Sequence, residues 1–415
     1  MKKVELLAPA GSVEKAKIAF MYGADAVYAG TAKLSLRTRA EMNTDTLEET
    51  IEYAHSIGKK VYVALNIYAR DCDYEEIKNE IKRLDKIHAD AIIASDPGVI
   101  DMIKEIAPNM EIHVSTQANT VSLQSAKFWQ KYGAKRVVIS RELNKKDIRY
   151  IMENKPEDLE VEMFIHGAIC YAYSGRCYLS KYLADRCANQ GDCAQSCRWQ
   201  YNLVASETNN PDSKINIDFD EKGTYLFSSK DMCLIEEIPE IIDMGVESLK
   251  IEGRLKTEYY LATVVRAYRN AIDEYYKLLE ENKQEAFDST PYLDELLKVK
   301  TRGMSKFYFE DKENQDIHDF DGKSENMEYE YGAKVIENYK DDLYIVEIKN
   351  KLSLNDKLEI LYPDSFEVDK FEIETLLDIK TKEEIDCINP GVKGQQVIIK
   401  IPYKVQNNTI IRRKK

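Results

Sequence analysis

The sequence predicts an α/β protein made of a (β/α)₈ TIM-like barrel and a small C-terminal antiparallel β-barrel domain. Short apolar runs alternate with amphipathic helical stretches through the first 285 residues, which is the pattern of parallel βα repeats. From about residue 330, apolar residues recur at every second position, as in antiparallel strands. A chain of 415 residues is also too long for one typical domain, so we expect two.

Eight β-branched or apolar runs predict the barrel strands, and each is followed by a turn or helix signal. They lie at residues 4–11, 24–30, 59–66, 89–95, 111–117, 134–140, 160–167 and 246–253. Three of the predicted helices end at a glycine that is followed directly by the next strand. The three similar stretches are "MYGADAVYAG", "KYGAKRVVIS" and "DMGVESLKIEG". Glycine at that position is typical of a helix C-terminus, so this weak repeat indicates architecture and not a binding motif.

The barrel pattern is interrupted between its seventh and eighth strands. Residues 167–235 form a polar, glycine- and cysteine-rich insertion within the 1–285 barrel domain. In this insertion "YNLVAS" (201–206) and "TYLFSS" (224–229) are interpreted as the two strands of a hairpin.

The C-terminal third divides into a connecting segment and a β domain. Residues 286–329 are charged and irregular and predict a linker, whereas residues 330–415 predict the small β-barrel domain. The terminal "IIRRKK" is interpreted as a solvated tail.

The net charge of −14 argues against a general surface for polyanions, because neutralising phosphates requires clustered Lys and Arg. A local basic patch remains compatible with it, and Lys181, Arg186 and Arg198 are available in the insertion. The chain has no run of 18 apolar residues and no leader-like start, so we expect a cytoplasmic protein with no membrane partner.

Polar residues occupy the predicted C-terminal ends of the barrel strands, where barrel enzymes place their active sites. They include Asn66, Gln117, Arg141, His166, Glu252 and Arg254. His166 is either an acid or hydrogen-bond donor near sulfur, or a packed histidine. Glu252 and Arg254 in "KIEGR" either bind a carboxylate substrate or form a structural ion pair.

Six of the eight cysteines are concentrated in about sixty residues, and structural disulfides are not expected in a reducing compartment. Because so dense a group in a polar, glycine-rich stretch is improbable by chance, we expect metal or cluster binding. The six cysteines are Cys170, Cys177, Cys187, Cys193, Cys197 and Cys233. Only Cys193 and Cys197 have the close spacing of a zinc knuckle. The wider, uneven spacing favours an iron–sulfur cluster, with zinc as the alternative metal.

Other catalytic signatures are missing from the sequence. It contains no Gly-x-Gly-x-x-Gly, P-loop, His-Glu-x-x-His or Gly-x-Ser-x-Gly motif. Five histidines leave only His113 or His166 at a strand end for a Cys–His hydrolase, and no spacing singles out such a pair.

The stretch "EMFIHGAICYAYSGRCYLS" (162–180) resembles the signature of the peptidase U32 family, the so-called collagenase-like proteases. "LLAPAG", "DAVYAG", "NQGDCAQSCR", "SSKDMC" and "SLKIEGR" follow in the family's order, so the resemblance covers nearly the whole barrel. Several members of this family are similar to iron–sulfur proteins that hydroxylate RNA bases or quinone precursors. The subgroup with this length and a C-terminal β domain makes 5-hydroxyuridine at the tRNA wobble position with prephenate.

The resemblance also implies roles for individual residues. It places the ligands of a cluster, expected to be [4Fe-4S], on Cys170, Cys177 and Cys193, and the fourth on Cys233 or, as the alternative, Cys197. For prephenate, a dicarboxylate, it implies a site at the barrel mouth, where we expect Arg141, Arg176 and Arg254 with Asn66 and Gln117. Candidates for acid–base work are His166, Glu162 and Glu252, without an assigned catalytic residue.

Three hypotheses for function follow. The first is a tRNA-modifying enzyme that hydroxylates a uridine, with tRNA and prephenate as partners and a second U32-family subunit as a further source of RNA-binding surface. The second is a U32-type peptidase, which would require an activated nucleophile or a zinc-bound water. The third is a non-catalytic scaffold whose β domain binds a partner.

Overall fold

The structure is a computed structural model that describes residues 3–31, 34–36, 41–207, 210–217, 227–310, 317–319 and 328–415. The chain forms two compact units. The first comprises Met1–Ala16, Asp25–Leu255 and Thr301–Glu325, and the second comprises Lys17–Ala24, Lys256–Lys300 and Asn326–Lys415.

The first unit contains the predicted closed barrel of eight parallel strands. The strands are β1 Glu5–Pro9, β2 Ala26–Thr31, β3 Lys60–Leu65, β4 Ala91–Ala94, β5 Glu111–Val114, β6 Arg136–Val138, β7 Glu160–Ala168 and β8 Ser248–Ile251. Neighbouring strands pair in sequence order, and β8 closes the barrel by pairing with both β7 and β1. A two-residue strand, Glu41–Met42, pairs with the end of β2. The predicted fold class is confirmed.

Ten α-helices accompany the strands. They are α1 Val13–Met21, α2 Thr44–Ser56, α3 Tyr74–Lys86, α4 Pro97–Ile106, α5 Leu123–Lys131, α6 Lys145–Asn154, α7 Leu179–Ala184, α8 Ile238–Asp243, α9 Glu258–Glu280 and α10 Thr290–Leu296 among the described residues. Side-chain caps start several of them, for example Asn43 before α2 and Asp96 before α4. Gly23, Gly133 and Gly245 all have positive φ, as the repeated sequence pattern predicts.

The amino-terminal end of the barrel interior is filled by charge instead of hydrocarbon. Arg136 on β6 donates to Glu5 at 2.6 Å and to Glu160 at 2.7 Å, and it also reaches Glu162 at 3.2 Å. Lys250 on β8 pairs with Glu162 at 2.7 Å. Because each buried charge has opposite charges beside it, the network offsets part of the desolvation cost of burying them.

The insertion after β7 differs in detail from the prediction. Leu203–Glu207 does form a hairpin strand, but its partner is Asn210–Ile217. The proposed partner at 224–229 lies partly outside the described residues, and its Ser229 bridges to His318 instead. A further short strand, Asp231–Cys233, runs antiparallel to the end of β7.

The predicted linker of residues 286–329 is more structured than its composition indicated. It contains α10, and its short strand Met304–Ser305 pairs with Asp231–Cys233 in the barrel sheet. Two of its apolar residues, Phe307 and Phe309, are buried in the structure. The segment was predicted to be a linker because most of its other residues are charged or polar.

The second unit contains a seven-stranded antiparallel sheet. Its strands are β9 Tyr329–Lys340, β10 Leu343–Ile348, β11 Lys357–Leu361, β12 Val368–Glu372, β13 Leu376–Asp378, β14 Gln396–Lys400 and β15 Ile410–Lys414. They pair in the order β12-β11-β15-β9-β10-β14-β13, and the two-residue strands Leu352–Ser353 and Cys387–Ile388 pair with each other. Alternate residues of these strands form one buried apolar cluster, as the period-two pattern predicts.

The interpretation of the terminal "IIRRKK" as a solvated tail was wrong. These residues form β15, which lies between β9 and β11 in the sheet. Arg412 is fully buried, where it pairs with Glu295 at 2.7 Å and with Glu359 at 2.7 Å. Arg266 on α9 contacts the same Glu295 at 3.1 Å, so these ion pairs connect the helices and the sheet of this unit.

Candidate cysteine-lined active site

The carboxyl ends of the barrel strands surround a cavity of about 120 Å³, which we call the mouth. Side chains from the strand ends and from the insertion line it together. The residues from the predicted site are Asn66, Gln117, Arg141, Cys170, Cys177, Cys193, Glu252 and Arg254. Most of the candidate residues predicted from the sequence therefore lie together at the carboxyl end of the barrel.

Gln117 is a buried polar residue of the mouth whose side-chain amide is available to a ligand. It lies in a short 3₁₀ turn after β5, is 3% exposed and lines the mouth. Neither its amide oxygen nor its amide nitrogen has a hydrogen-bond partner among the described residues. A buried amide without partners is costly, so the site is suited to a polar ligand that supplies them.

Asn66 is held more firmly beside it. Its side-chain oxygen accepts from the Leu36 backbone at 3.3 Å, and its nitrogen donates to the Ser115 hydroxyl at 3.3 Å. These bonds fix the amide at the end of β3. Asn66 thus shapes the wall of the mouth.

Cations line the mouth on two sides. The Arg141 guanidinium lies 5.3 Å from the centre of the Phe164 ring, and its Nε is buried without a hydrogen-bond partner among the described residues. Arg254 lies over the Tyr28 ring at 5.7 Å. Lys250, which the sequence analysis did not select, lies 4.4 Å from the centre of the same ring. A small anion entering the mouth would meet positive charge from all three.

Arg176, the third predicted arginine, does not line the mouth directly. It is exposed, and its guanidinium donates to the Gln117 backbone carbonyl at 3.4 Å. Arg176 therefore connects the insertion to the strand end that carries Gln117.

The three acid–base candidates have different positions. Glu252 lines the mouth and accepts a hydrogen bond from the Tyr28 hydroxyl at 3.0 Å. His166 is buried in β7, opposite Cys233 of the adjacent antiparallel strand. Glu162 lies deeper, in the charge network with Lys250 and Arg136, and does not line the mouth.

Gly167 allows the ends of β7 and β8 to approach closely. Its φ is +107°, and a Cβ atom there would lie 2.3 Å from the Glu252 carbonyl oxygen. Only glycine fits such a position, which explains the "HG" pair in the signature.

Four cysteines of the insertion line a second cavity of about 220 Å³, which we call the thiol cavity. They are Cys170, Cys177, Cys193 and Cys197. The first three also line the mouth, so the two cavities adjoin. Cys233 lines neither and is buried in its strand against β7. Of the two candidates for the fourth ligand, Cys197 is the one that lines the thiol cavity with the three expected ligands.

Backbone contacts organise the thiol cavity around Cys177. The Asn189 side chain accepts from the Cys177 N–H at 3.1 Å and donates to its carbonyl at 3.1 Å. Burial raises the pKa of the Cys177 thiol, although N–H groups of Ser180 and Leu179 donate to the sulfur and act in the opposite direction. Such N–H groups are the kind of contact that stabilises cluster sulfurs.

The thiol cavity offers four sulfur donors to a ligand. All eight cysteines are free thiols, but no three His, Cys, Asp or Glu side chains within the described ranges are arranged to hold one metal ion. Soft thiolate ligands spread around a cavity are the donor set of an iron–sulfur cluster.

The outer surface of the insertion is aromatic and basic. Tyr178 and Tyr182 are 75% and 74% exposed, and their rings stack with centres 6.3 Å apart. Between Cys170 and Tyr201 the chain has four cations and two carboxylates, a local excess of positive charge in a chain of net charge −14. Among the described residues, no helix has the length and apolar character needed to cross a membrane.

Comparisons with known proteins agree with this architecture. Residues 11–319 match the peptidase family U32, and residues 327–412 match the peptidase family U32 C-terminal domain. The chain is 36% identical to a Bacillus subtilis (strain 168) protein named tRNA hydroxylation protein P1, over 100% of this chain and 96% of that protein.

Two other relatives carry different names. The chain is 37% identical to the 23S rRNA 5-hydroxycytidine C2501 synthase of Escherichia coli (strain K12), over 65% of this chain and 39% of that protein. It is 31% identical to a protein of Porphyromonas gingivalis (strain ATCC BAA-308 / W83) named collagenase, over 97% of this chain and 95% of that protein. The extent and identity of these matches show that the chain belongs to the peptidase U32 family.

Proposed function

We propose that this protein is an iron–sulfur enzyme that hydroxylates the wobble uridine of tRNA to 5-hydroxyuridine, with prephenate as co-substrate. The observation that carries the proposal is that the thiol cavity opens beside a cation-lined mouth at the catalytic end of a barrel. The relatives named for tRNA hydroxylation and for rRNA 5-hydroxycytidine synthesis support the choice of an RNA base as substrate.

The cysteines of the thiol cavity would hold the cluster. Cys170, Cys177 and Cys193 supply three ligands. The family resemblance favours Cys233 as the fourth ligand, whereas the position of Cys197 in the thiol cavity favours Cys197. When bound, such a cluster supplies electron transfer. The chain's own residues position the Cys177 backbone and direct backbone N–H groups to its sulfur.

The mouth would bind the small dicarboxylate. A dianion buried in a cavity requires cations, and Arg141, Arg254 and Lys250 line this one. The unpartnered amide of Gln117 would hydrogen-bond a hydroxyl or carboxylate of the same ligand. Glu252, held by Tyr28, is then the carboxylate nearest to the bound molecule for accepting a proton.

The insertion would receive the RNA. Unpaired bases stack on exposed tyrosines. Tyr178 lines the thiol cavity, and its exposed ring stacks with that of Tyr182. Nearby cations such as Arg176 would contact phosphates, so tRNA affinity should fall steeply with salt concentration.

The test uses a bacterial strain whose tRNA lacks 5-hydroxyuridine because its own hydroxylation genes have been deleted. Expression of this chain should restore the modified nucleoside, detected by mass spectrometry of digested tRNA, and Cys177→Ala should abolish it. Cys72→Ala, which changes an exposed cysteine outside the insertion, serves as the matched control. Full 5-hydroxyuridine in the Cys177→Ala strain would refute the proposal.

A peptidase is the second candidate because one relative is named collagenase. A cysteine nucleophile needs a lowered pKa, whereas burial raises the pKa of both Cys177 and Cys197. Gelatin cleavage by the purified protein, abolished by one substitution in the mouth, would favour this alternative.

A further inference from the structure

A third cavity, of about 320 Å³, lies next to the mouth in the first unit, and we call it the side cavity. It is built from the start of the insertion and from the segment that the sequence analysis treated as a linker. The lining residues that matter for the inference are Arg141, Cys170, Tyr171, Tyr173, Phe307 and Tyr308.

The walls of the side cavity are predominantly aromatic. Tyr171 and Tyr173 are about half exposed, whereas Phe307 is buried. Together with Tyr308 they present four rings to one space. Aromatic rings that line a cavity open to solvent are the usual surface on which proteins stack an unpaired base.

The wall that contains Tyr173 is held in place before any ligand binds. The neighbouring Ser174 has a left-handed backbone, with φ of 44°. Its hydroxyl donates to Glu142 at 2.7 Å and lies 2.8 Å from the Ser140 hydroxyl. These contacts fix the turn, so a ligand would not have to order it on binding.

The side cavity and the mouth share two residues, Arg141 and Cys170. Cys170 also lines the thiol cavity, so it lies where all three spaces meet. A molecule in the side cavity would therefore be adjacent both to the proposed anion site and to the first proposed cluster ligand. The Nε of Arg141, buried without a hydrogen-bond partner within the described part of the chain, is available at this junction.

We propose that the side cavity receives a single pyrimidine base of the RNA substrate, extruded from its strand and stacked between Tyr173 and Tyr308. This inference rests on the proposed function, because it names where the hydroxylated base is bound. Enzymes that modify a base act on a single-stranded substrate or turn the base out of its stack into a closely fitting pocket. The mouth is then left for the co-substrate.

The experiment measures how much the wobble base contributes to RNA affinity, and whether that contribution depends on the tyrosines of the side cavity. Affinity is measured for two anticodon stem-loops, one with uridine at the wobble position and one with an abasic nucleotide there. For the intact protein, removal of the base should weaken binding about tenfold, the effect of one lost stacking contact. For Tyr173→Ala and for Tyr308→Ala this difference should shrink, and for the double variant the two RNAs should bind within about twofold of each other.

Matched variants separate stacking from other effects. Tyr173→Phe and Tyr308→Phe keep the ring and should retain most of the tenfold difference. Tyr150→Ala changes an exposed tyrosine on α6 that lines none of the three cavities, and it should behave as the intact protein does. Visible absorption of each variant checks that its cofactor content is unchanged.

The outcomes distinguish this inference from the proposed function. If the intact protein hydroxylates tRNA but binds both stem-loops equally, or if the alanine variants keep the full difference, the base does not occupy the side cavity and the inference is overturned. If no stem-loop binds and no tRNA is hydroxylated, the proposed function itself has failed.

Discussion

The Asn189 side chain closes a ring of two hydrogen bonds with the backbone of Cys177, accepting from its N–H and donating to its carbonyl, both at 3.1 Å. An amide satisfied by one residue in this way fixes the position of that residue's backbone. Asn189 comes from the 3₁₀ turn Ala188–Gln190, twelve residues along the chain. It thus connects two parts of the insertion across the wall of the thiol cavity.

Loss of these two hydrogen bonds should make the proposed cluster less stable. We expect Asn189→Ala protein to lose its visible absorption in air several times faster than the unaltered protein, because the Cys177 backbone loses both contacts. Asn189→Asp keeps an acceptor for the N–H and loses only the donor, so its decay rate should be intermediate. Equal decay rates for all three proteins would show that Asn189 does not position Cys177.

Some of the cysteines should be needed for iron binding, and the others should not. Alanine at Cys170, Cys177 or Cys193 should remove most of the iron from protein purified without oxygen, because each change deletes a thiolate from the proposed cluster. Between Cys197 and Cys233, we expect exactly one to behave in the same way. Iron and sulfide analysis of each variant makes the comparison.

Exposed cysteines provide the control for that series. Cys72→Ala and Cys387→Ala change cysteines outside the insertion and should keep full iron content. If neither Cys197→Ala nor Cys233→Ala lost iron, the four-thiol cluster would be contradicted.

The buried Glu162 should make stability depend on pH. Burial alone would raise its pKa, but attraction by Lys250 and Arg136 prevails and holds the pKa below the ordinary value of 4.5. The folded state therefore gains stability from this ionised carboxylate above pH 4.5, and the gain is lost as pH falls through the lower folded pKa. The free energy of unfolding should decline accordingly in acid.

Glu162→Gln tests this directly. It leaves Lys250 without its ionised partner in the barrel, so we expect the free energy of unfolding at pH 7 to fall by about 3 kcal/mol. Because the titrating group is gone, the difference from the unaltered protein should shrink on acidification below pH 4.5. Denaturant unfolding at several pH values measures it, with the exposed Glu75→Gln as control. A difference that is constant with pH would contradict the assigned ionisation.

Arg141 should determine affinity for the dicarboxylate. Arg141→Met removes the guanidinium from the mouth and should weaken prephenate binding at least about tenfold, the value of one charged hydrogen bond. Arg141→Lys keeps the positive charge but loses the planar pair of donors. Its affinity for prephenate should therefore lie between those of Arg141→Met and the unaltered protein. Isothermal titration calorimetry measures the affinities, and Arg149→Met, a change on the surface of α6, should bind normally. Unchanged affinity in Arg141→Met would place the dicarboxylate elsewhere.

Much of the architecture could be predicted because its causes are local. Parallel strands buried on both faces require continuous apolar runs, so all eight barrel strands were visible in the sequence. The strand-end rule then located Asn66, Gln117 and Arg141 at the mouth without any knowledge of their contacts.

What could not be predicted depends on contacts distant in sequence. Arg412 looks like part of a solvated tail until Glu295 and Glu359 are found beside it. Lys250 is one basic residue among many until the barrel closes and brings it over Tyr28. Phe307 and Tyr308 enter the side cavity only because their segment returns to the barrel, which its charged composition does not reveal.

The measurement that tests the central claim most directly is metal analysis with visible absorption on protein purified without oxygen. We predict a brown protein with about four iron and four sulfide per chain, and loss of both in Cys177→Ala. Zinc in place of iron, or protein with all eight cysteines intact that binds no metal, would contradict it. The thiol cavity would then be a structural feature of the barrel and not the centre of its chemistry.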